Sequence, residues 1–315
     1  SVQDANGLNN LSDFVQQEGN VCCFNNSESW IILSPIEMSI KRKIETIGVP
    51  LKDWNIQINY GIKTGFNDAF IISTEKRDKI LANCQTEEER QRTAELIRPI
   101  LRGRDIKRYG YEWAGLYLIA TFPSRHYDIE MFPAVKAHLL SFGIKRLEQT
   151  GKTHIVNEEK VKARKKTNNK WFETQDSISY WEDFNKPKIM YPNMTKYMPF
   201  YYDEKGFYQN DKSFMITGKH ISFLTAFFNS SLFKFCFRDN FPELLGGTRE
   251  LRKIFFDKIS VIKVSDKINN DFKREVINLQ SNYTQEKAAK IDLMLFDLYN
   301  LTEEERKVIG NIEIK

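Results

Sequence analysis

At 315 residues, the chain has room for one large domain or two ordinary ones with a sizeable core. A hydrophobic fraction of 41% and a charged fraction of 28% exclude a disordered or fibrous chain. No apolar run approaches the roughly 20 residues of a membrane helix, so no membrane partner is expected. Four cysteines, two of them adjacent at Cys22 and Cys23, form no disulfide framework, which points to a reducing cytoplasm. The first residues lack a basic start and an apolar stretch, so they do not read as a signal peptide. The chain opens on Ser1 rather than Met and reads as a piece of something longer.

The net charge of +5 conceals an asymmetry. From Arg98 to Lys170 there are 16 Lys or Arg against 7 Asp or Glu, an excess of +9, leaving −4 for the rest. A basic middle between slightly acidic ends suits a polyanion, or equally a solvated face.

Along the chain, Gly19 to Ser29 is a polar loop. Ser34-Pro35 then opens a helix carrying Ile36, Met38, Ile40, Ile44 and Ile47 at helical spacing, and Gly48 and Pro50 end it. Trp54, Ile56 and Ile58 alternate with polar residues as a strand, and Ala69 to Ile72 reads as another. Thr86 with Glu89 three residues on predicts a capped helix to Leu96. Tyr117 to Thr121 is a buried-strand candidate and Phe132 to Phe142 a helix. Lys188 to Tyr191 and Ser213 to Ile216 read as strands, and His220 to Phe237 as an apolar helix. Phe241 to Arg252 is turn-rich, Ile259 to Val264 is the last strand, and helical spacing runs from Asp266 onward. The organisation is a connecting segment over 1–53, a mixed α/β body over 54–264 and a helical section over 265–315.

Catalytic patterns are missing from the sequence. There is no GxGxxG and no GxxxxGK[ST]; Gly246-Gly247-Thr248 comes nearest but lacks the following Lys. The histidines His126, His138, His154 and His220 are scattered rather than paired with Cys as zinc requires. No GxSxG elbow occurs. Glu158-Glu159-Lys160 and Asp203-Glu204-Lys205 fit a metal-nuclease pattern only loosely, and no Pro-Pro pair exists for an Asn-Pro-Pro-Tyr turn. No catalytic residue, metal ligand or cofactor is assigned to this chain.

Six segments instead mix basic, amide and aromatic residues. In Tyr60 to Phe70, two glycines between strands leave Lys63, Thr64 and Asn67 at a loop tip. From Arg98 to Arg108, five of eleven residues are basic, among them Arg102, Arg104, Lys107 and Arg108; arginine forks suit phosphate and guanine, though Asp105 could pair with one of them. From Lys160 to Trp171, Arg164, Lys165, Lys166 and Lys170 surround Asn168 and Asn169; lysines supply phosphate affinity and Asn can read adenine. This third segment reads as flexible without a partner. In the fourth, Lys186 to Tyr197, Pro192 fits a strand end and leaves Asn193, Thr195 and Lys196 in an exposed turn. The fifth, Asn210 to Phe214, and the sixth, Gly246 to Lys253 with Arg249, read as loops with structural roles. Trp171 and Tyr197 read as packing residues.

Taken together, YGIKTGFNDAF, RPILRGRDIKRY and KPKIMYPNMTKYMPFYYDEKGFYQNDKSF, in that order and spacing, resemble the TaqI-like specificity domain. FPELLGGTRELRKIFFDKI extends the resemblance, and KIDLMLFDLYNLTEEERKVIG resembles the closing helices of such proteins. The likeness covers about residues 30 to 312. It implies the target-recognition part of an adenine-specific DNA methyltransferase or fused type IIG restriction-modification enzyme. It also implies double-stranded DNA as partner, and an N-terminal methyltransferase domain that binds S-adenosylmethionine outside this chain. Two other classes fit the residues. One is a protein–protein docking module that uses the stripe Ile291, Met294, Leu295, Leu298 and Leu301; the other is a hydrolase with an unrecognised site.

Overall fold

The structure, a computed structural model, describes residues 34–310 apart from the side chain of Asp239. The loop expected at Gly19 to Ser29, the Cys22-Cys23 pair and most of the connecting segment lie outside the described residues.

The chain enters through helix α1, Pro35–Ile47. Ser34 caps it: its hydroxyl accepts from the Glu37 amide, and the Glu37 carboxylate accepts from the Ser34 amide at 2.7 Å, two reciprocal bonds that satisfy otherwise orphaned donors. Strand β1 follows at Ile56–Tyr60, then β2 at Ile71–Ser73, helix α2 at Thr74–Ala82, helix α3 at Glu87–Leu96, strand β3 at Ile97–Leu101 and strand β4 at Leu116–Ile119. Helix α4, Pro133–Leu140, leads to a hairpin of β5, Thr153–Val156, and β6, Glu159–Lys162. Beyond come β7, Lys188–Pro192, β8, Tyr201–Asp203, β9, Tyr208–Gln209, and β10, Ser213–Gly218. Helices α5, Ile221–Asn229, and α6, Ser231–Phe237, are followed by α7, Asp266–Ser281, α8, Gln285–Leu298, and α9, Glu303–Ile309.

Two four-stranded sheets organise the molecule. One has the order β8-β7-β10-β1, antiparallel throughout; the other has the order β9-β3-β4-β2, with β9 parallel to β3 and the rest antiparallel. The fold is thus mixed α/β with helices around partly antiparallel sheets. Side-chain alternation along a strand places the first sheet between two cores. Ile58, Ile189, Tyr191 and Ile216 face a helical core shared with α1 and α5 to α9, whereas Met215 faces the core of the second sheet. All five residues of β7 are buried, as a central strand covered on both faces requires. Lys188 belongs to that strand. Its ammonium donates to Asp203 at 2.5 Å and to the Phe184 carbonyl at 2.6 Å, and both charged side chains are fully enclosed. The Asp203-Glu204-Lys205 triplet therefore supplies a structural counter-ion.

The stripe at Ile291, Leu295 and Leu301 is buried in the helical core, with Met294 and Leu298 packed on it. It is not available as a docking face. No helix among the described residues is long and apolar enough to cross a membrane.

Three elements differ from expectation. Asn67–Phe70 forms one helical turn, so the strand expected over Ala69 to Ile72 starts only at Ile71. The apolar run from His220 breaks at Ser230, which turns extended and accepts from the Phe233 amide to cap α6; serine competes with the helix for that bond. Only Ser260–Val261 of the last strand pairs, with Val49–Pro50. Glu89 also departs from a capping box. Its carboxylate accepts from the Gln85 and Ala134 amides, tying α3 to the start of α4.

Candidate nucleic-acid interface

The six segments singled out above meet along one continuous run of contacts, with the turn Asn210 to Lys212 at its centre. Gly61 presses on that turn so closely that a Cβ would fall 1.9 Å from the Asn210 carbonyl. The Asp211 amide donates to the Ile62 carbonyl. On the other side, a Cβ on Gly103 would lie 2.5 Å from the Lys212 carbonyl, and the Gly103 amide donates to the Asn210 side chain. The Asn193 amide donates to Lys212, and Leu251 donates to Asn193. Met194–Thr195 in turn pairs with Arg249–Glu250. Close backbone approach of this kind is what glycine allows.

Arg164 joins the third segment to the first. Its guanidinium is buried, donating to the carbonyls of Leu147, Thr64, Glu173 and Trp171 at 2.6–2.9 Å. Burial, with help from nearby Arg146, pushes its pKa down to about 10. The segment read as flexible is thus ordered around a buried cation. Before it, Asn157 and Glu158 adopt positive φ at the tip of the β5–β6 hairpin, the geometry a two-residue turn demands. Gln149 and the side-chain amide of Asn169 donate to the carbonyls of 170–175 and fix the loop further.

The structure sorts the candidate residues. Thr64, Arg164 and Arg249, expected among the DNA-contacting residues, are buried and their polar groups are engaged within the fold. Thr64 donates to the Asn67 side chain; Arg249 binds the Phe241 and Arg238 carbonyls and Glu243. Arg102 forks onto Asp105 at 2.8 and 2.9 Å. Arg108 clasps the Asn229 carbonyl and the Tyr283 hydroxyl. Lys63, Asn67, Arg104, Lys107, Lys165, Lys166, Asn168, Lys170 and Lys196 are exposed, and Asn193 is half-buried. Of the exposed cations, Lys107 pairs with Glu112 at 3.2 Å. Lys63 and Lys165 both act on Asp176, whose pKa stands above the ordinary carboxylate value because burial, with Asp211, outweighs the pull of the two lysines.

Between the turn at Gly103 to Arg108 and the stretch Pro192 to Pro199 lies a groove of about 570 Å³, reaching Lys212, Lys234 and Tyr283. A smaller cleft of about 280 Å³ opens at Lys63, Asn67, Gln175 and Asp211. Tyr197, read as packing, is instead 57% exposed at the groove. Trp171 does pack, against the second core. Sequence reasoning passed over Lys234 and Tyr283 and gave Lys212 a structural role. A single lysine inside Ser231–Phe237, an otherwise apolar helix, was the available signal for Lys234. No group of His, Cys, Asp and Glu among the described residues converges to hold a metal.

Comparison with known proteins completes the site. Among solved structures, the type IIL restriction-modification enzyme MmeI in complex with DNA aligns over 82% of this chain and 34% of its own, at 10% identity and a TM-score of 0.52. The type IIG restriction endonuclease BpuSI aligns over 88% of this chain and 34% of its own, at 12% identity and a TM-score of 0.49. The likeness to MmeI is one of fold, and the chain spans about a third of either protein. No curated protein matches it. A family model, the TaqI-like C-terminal specificity domain, matches residues 98–261, just over half of the sequence and all of the segments from Arg102 to Arg249. The chain belongs to the TaqI-like C-terminal specificity domain family.

Proposed function

We propose that this chain reads a short double-stranded DNA sequence and so positions a linked S-adenosylmethionine-dependent methyltransferase that flips and N6-methylates an adenine. An endonuclease on the same polypeptide is compatible with this reading. Residues 54–264 form the recognition body, 1–53 connect it to the methyltransferase, and 265–315 brace it. The observation that carries the proposal is the continuous run of contacts that links the six segments through the turn Asn210 to Lys212, with lysines and Arg104 displayed along it.

Labour divides as in protein–DNA interfaces generally, phosphates for position and base edges for sequence. Lys63, Arg104, Lys107, Lys165, Lys166, Lys170, Lys196 and Lys212 are exposed and hold phosphates. Asn67, Asn168 and Asn193 reach base edges. Asn168 makes no hydrogen bond among the described residues, and its amide can pair with adenine in two directions. The Asn193 side-chain oxygen is enclosed without a hydrogen-bond partner, a state relieved when it accepts from a base.

Selection from a random duplex library tests this reading. Enrichment of one short word, lost on Asn168→Ala or Asn193→Ala with backbone affinity kept, is the expected result. Recovery of the library unchanged would overturn it.

A further inference from the structure

The groove beside Arg104 holds more than a duplex backbone would use. Five cations line it, Arg104, Lys107, Arg108, Lys212 and Lys234, and no carboxylate does. Lys234 stands apart from the others. It lies half-buried on the apolar helix α6, and its ammonium makes no hydrogen bond or ion pair among the described residues. Asp292, an acid that acts on it, is already engaged by the Ser231 hydroxyl and amide. A half-buried ammonium without a partner keeps only part of its hydration, and a bound anion would offset what is lost. Arg108 stands beside it with donors left over from Asn229 and Tyr283.

Met194, Tyr197, Pro199 and Tyr283 give the groove an apolar and aromatic wall, with the polar Asn193 and Thr195 between them. Aromatic faces next to cations are what a nucleobase and its phosphate require. The volume, about 570 Å³, lies within the ~300–1,000 Å³ range of small-ligand sites.

We propose that this groove takes a single nucleotide, its phosphate on Lys234 and Arg108 and its base against Tyr197 and Tyr283. Resting on the DNA reading above, the nucleotide comes from the bound strand, unstacked next to the recognised word; a free nucleotide shares the chemistry.

The titration of Lys234 sharpens the test. Burial, and then the neighbouring Arg108, lower its pKa to about 8, with Asp292 opposing and Arg238 adding to the fall. The ammonium is charged below that value and neutral above it, so nucleotide affinity should fall between about pH 7 and 9, where ordinary lysines keep their charge.

The experiment uses the full chain with dAMP, a fully paired duplex and the same duplex carrying one unpaired nucleotide. Expected is a preference of about tenfold for the unpaired nucleotide, the contribution of one stacked base. Lys234→Met should abolish that preference and its pH dependence, leaving paired-duplex binding and its salt slope unchanged. Tyr197→Ala, on the exposed rim, should abolish the preference while the residual dAMP binding keeps its pH dependence. Binding of dAMP that depends on Lys234, without any preference between duplexes, supports the nucleotide seat and makes a free nucleotide its source. If Lys234→Met matches the unaltered chain on all three probes, the proposal is overturned while the DNA reading stands. If neither duplex binds, the DNA reading fails, and the dAMP arm alone decides the groove.

Discussion

Two basic stretches, 102–108 and 164–170, reach the same surface by opposite means. In the first, the organising cation stays near water: Arg102 forks onto Asp105 with its side chain still 25% exposed, and the turn around Gly103 leans on Lys212. In the second, the organising cation is sealed inside, with Arg164 bound to four carbonyls and its guanidinium over the Phe70 ring at 5.0 Å. In both, arginine is committed to the fold, Arg102 and Arg108 in the first and Arg164 in the second, while Arg104 and Lys107 or Lys165 and Lys166 are displayed. Charge density along a sequence therefore overstates the charge a partner can reach. The deeper the organising arginine, the more the loop depends on it.

That contrast predicts a graded set of effects. Arg164→Met should be the most damaging, leaving the Leu147, Thr64 and Trp171 carbonyls without their donor while Glu173 keeps Gln149, and costing about 3–5 kcal/mol, since unmade buried bonds are expensive. Denaturant unfolding would check it; a loss below about 1 kcal/mol would mean that water can replace the guanidinium. Lys188→Met should cost a similar ~3–5 kcal/mol by stranding the enclosed Asp203 carboxylate, but with its effect on the first sheet rather than on the loop. Hydrogen exchange in 160–175 should stay protected in that variant and be lost in Arg164→Met.

Asp105→Ala comes next. It removes the partner of a half-exposed arginine and a cap on the Arg102 amide, about 1–2 kcal/mol after allowing for solvent screening. Smallest in stability, but direct in function, are Lys165→Ala and Arg104→Ala. Their denaturation midpoints should not move, while each lowers the salt slope of duplex binding by roughly 1. An unchanged slope for either would remove that residue from the interface.

Much of this was legible in the sequence because local chemistry agreed with the fold. Ser34-Pro35 marks the start of α1, and alternation at Trp54, Ile56 and Ile58 announces β1. The gathering of separate glycine-containing segments could be suspected from composition, but their meeting at Asn210 to Lys212 depends on sheet order, which periodicity does not encode. Arg164 was misread for a physical reason: six basic residues around two asparagines look solvated, and only the tertiary fold supplies four inward carbonyls. Tyr197 failed in the other direction, since an aromatic beside a lysine signals packing as readily as exposure. The break at Ser230 was hidden by the unbroken apolar run on both sides of it.

The central claim, that the strip around Lys212 is a DNA surface, is tested most directly by titrating the chain with duplex DNA at about 50 and 200 mM salt. Phosphate contacts from the eight exposed cations predict an affinity loss of about 10⁴ between the two conditions. Affinity that barely changes with salt, or no binding at the lower concentration, would contradict the claim.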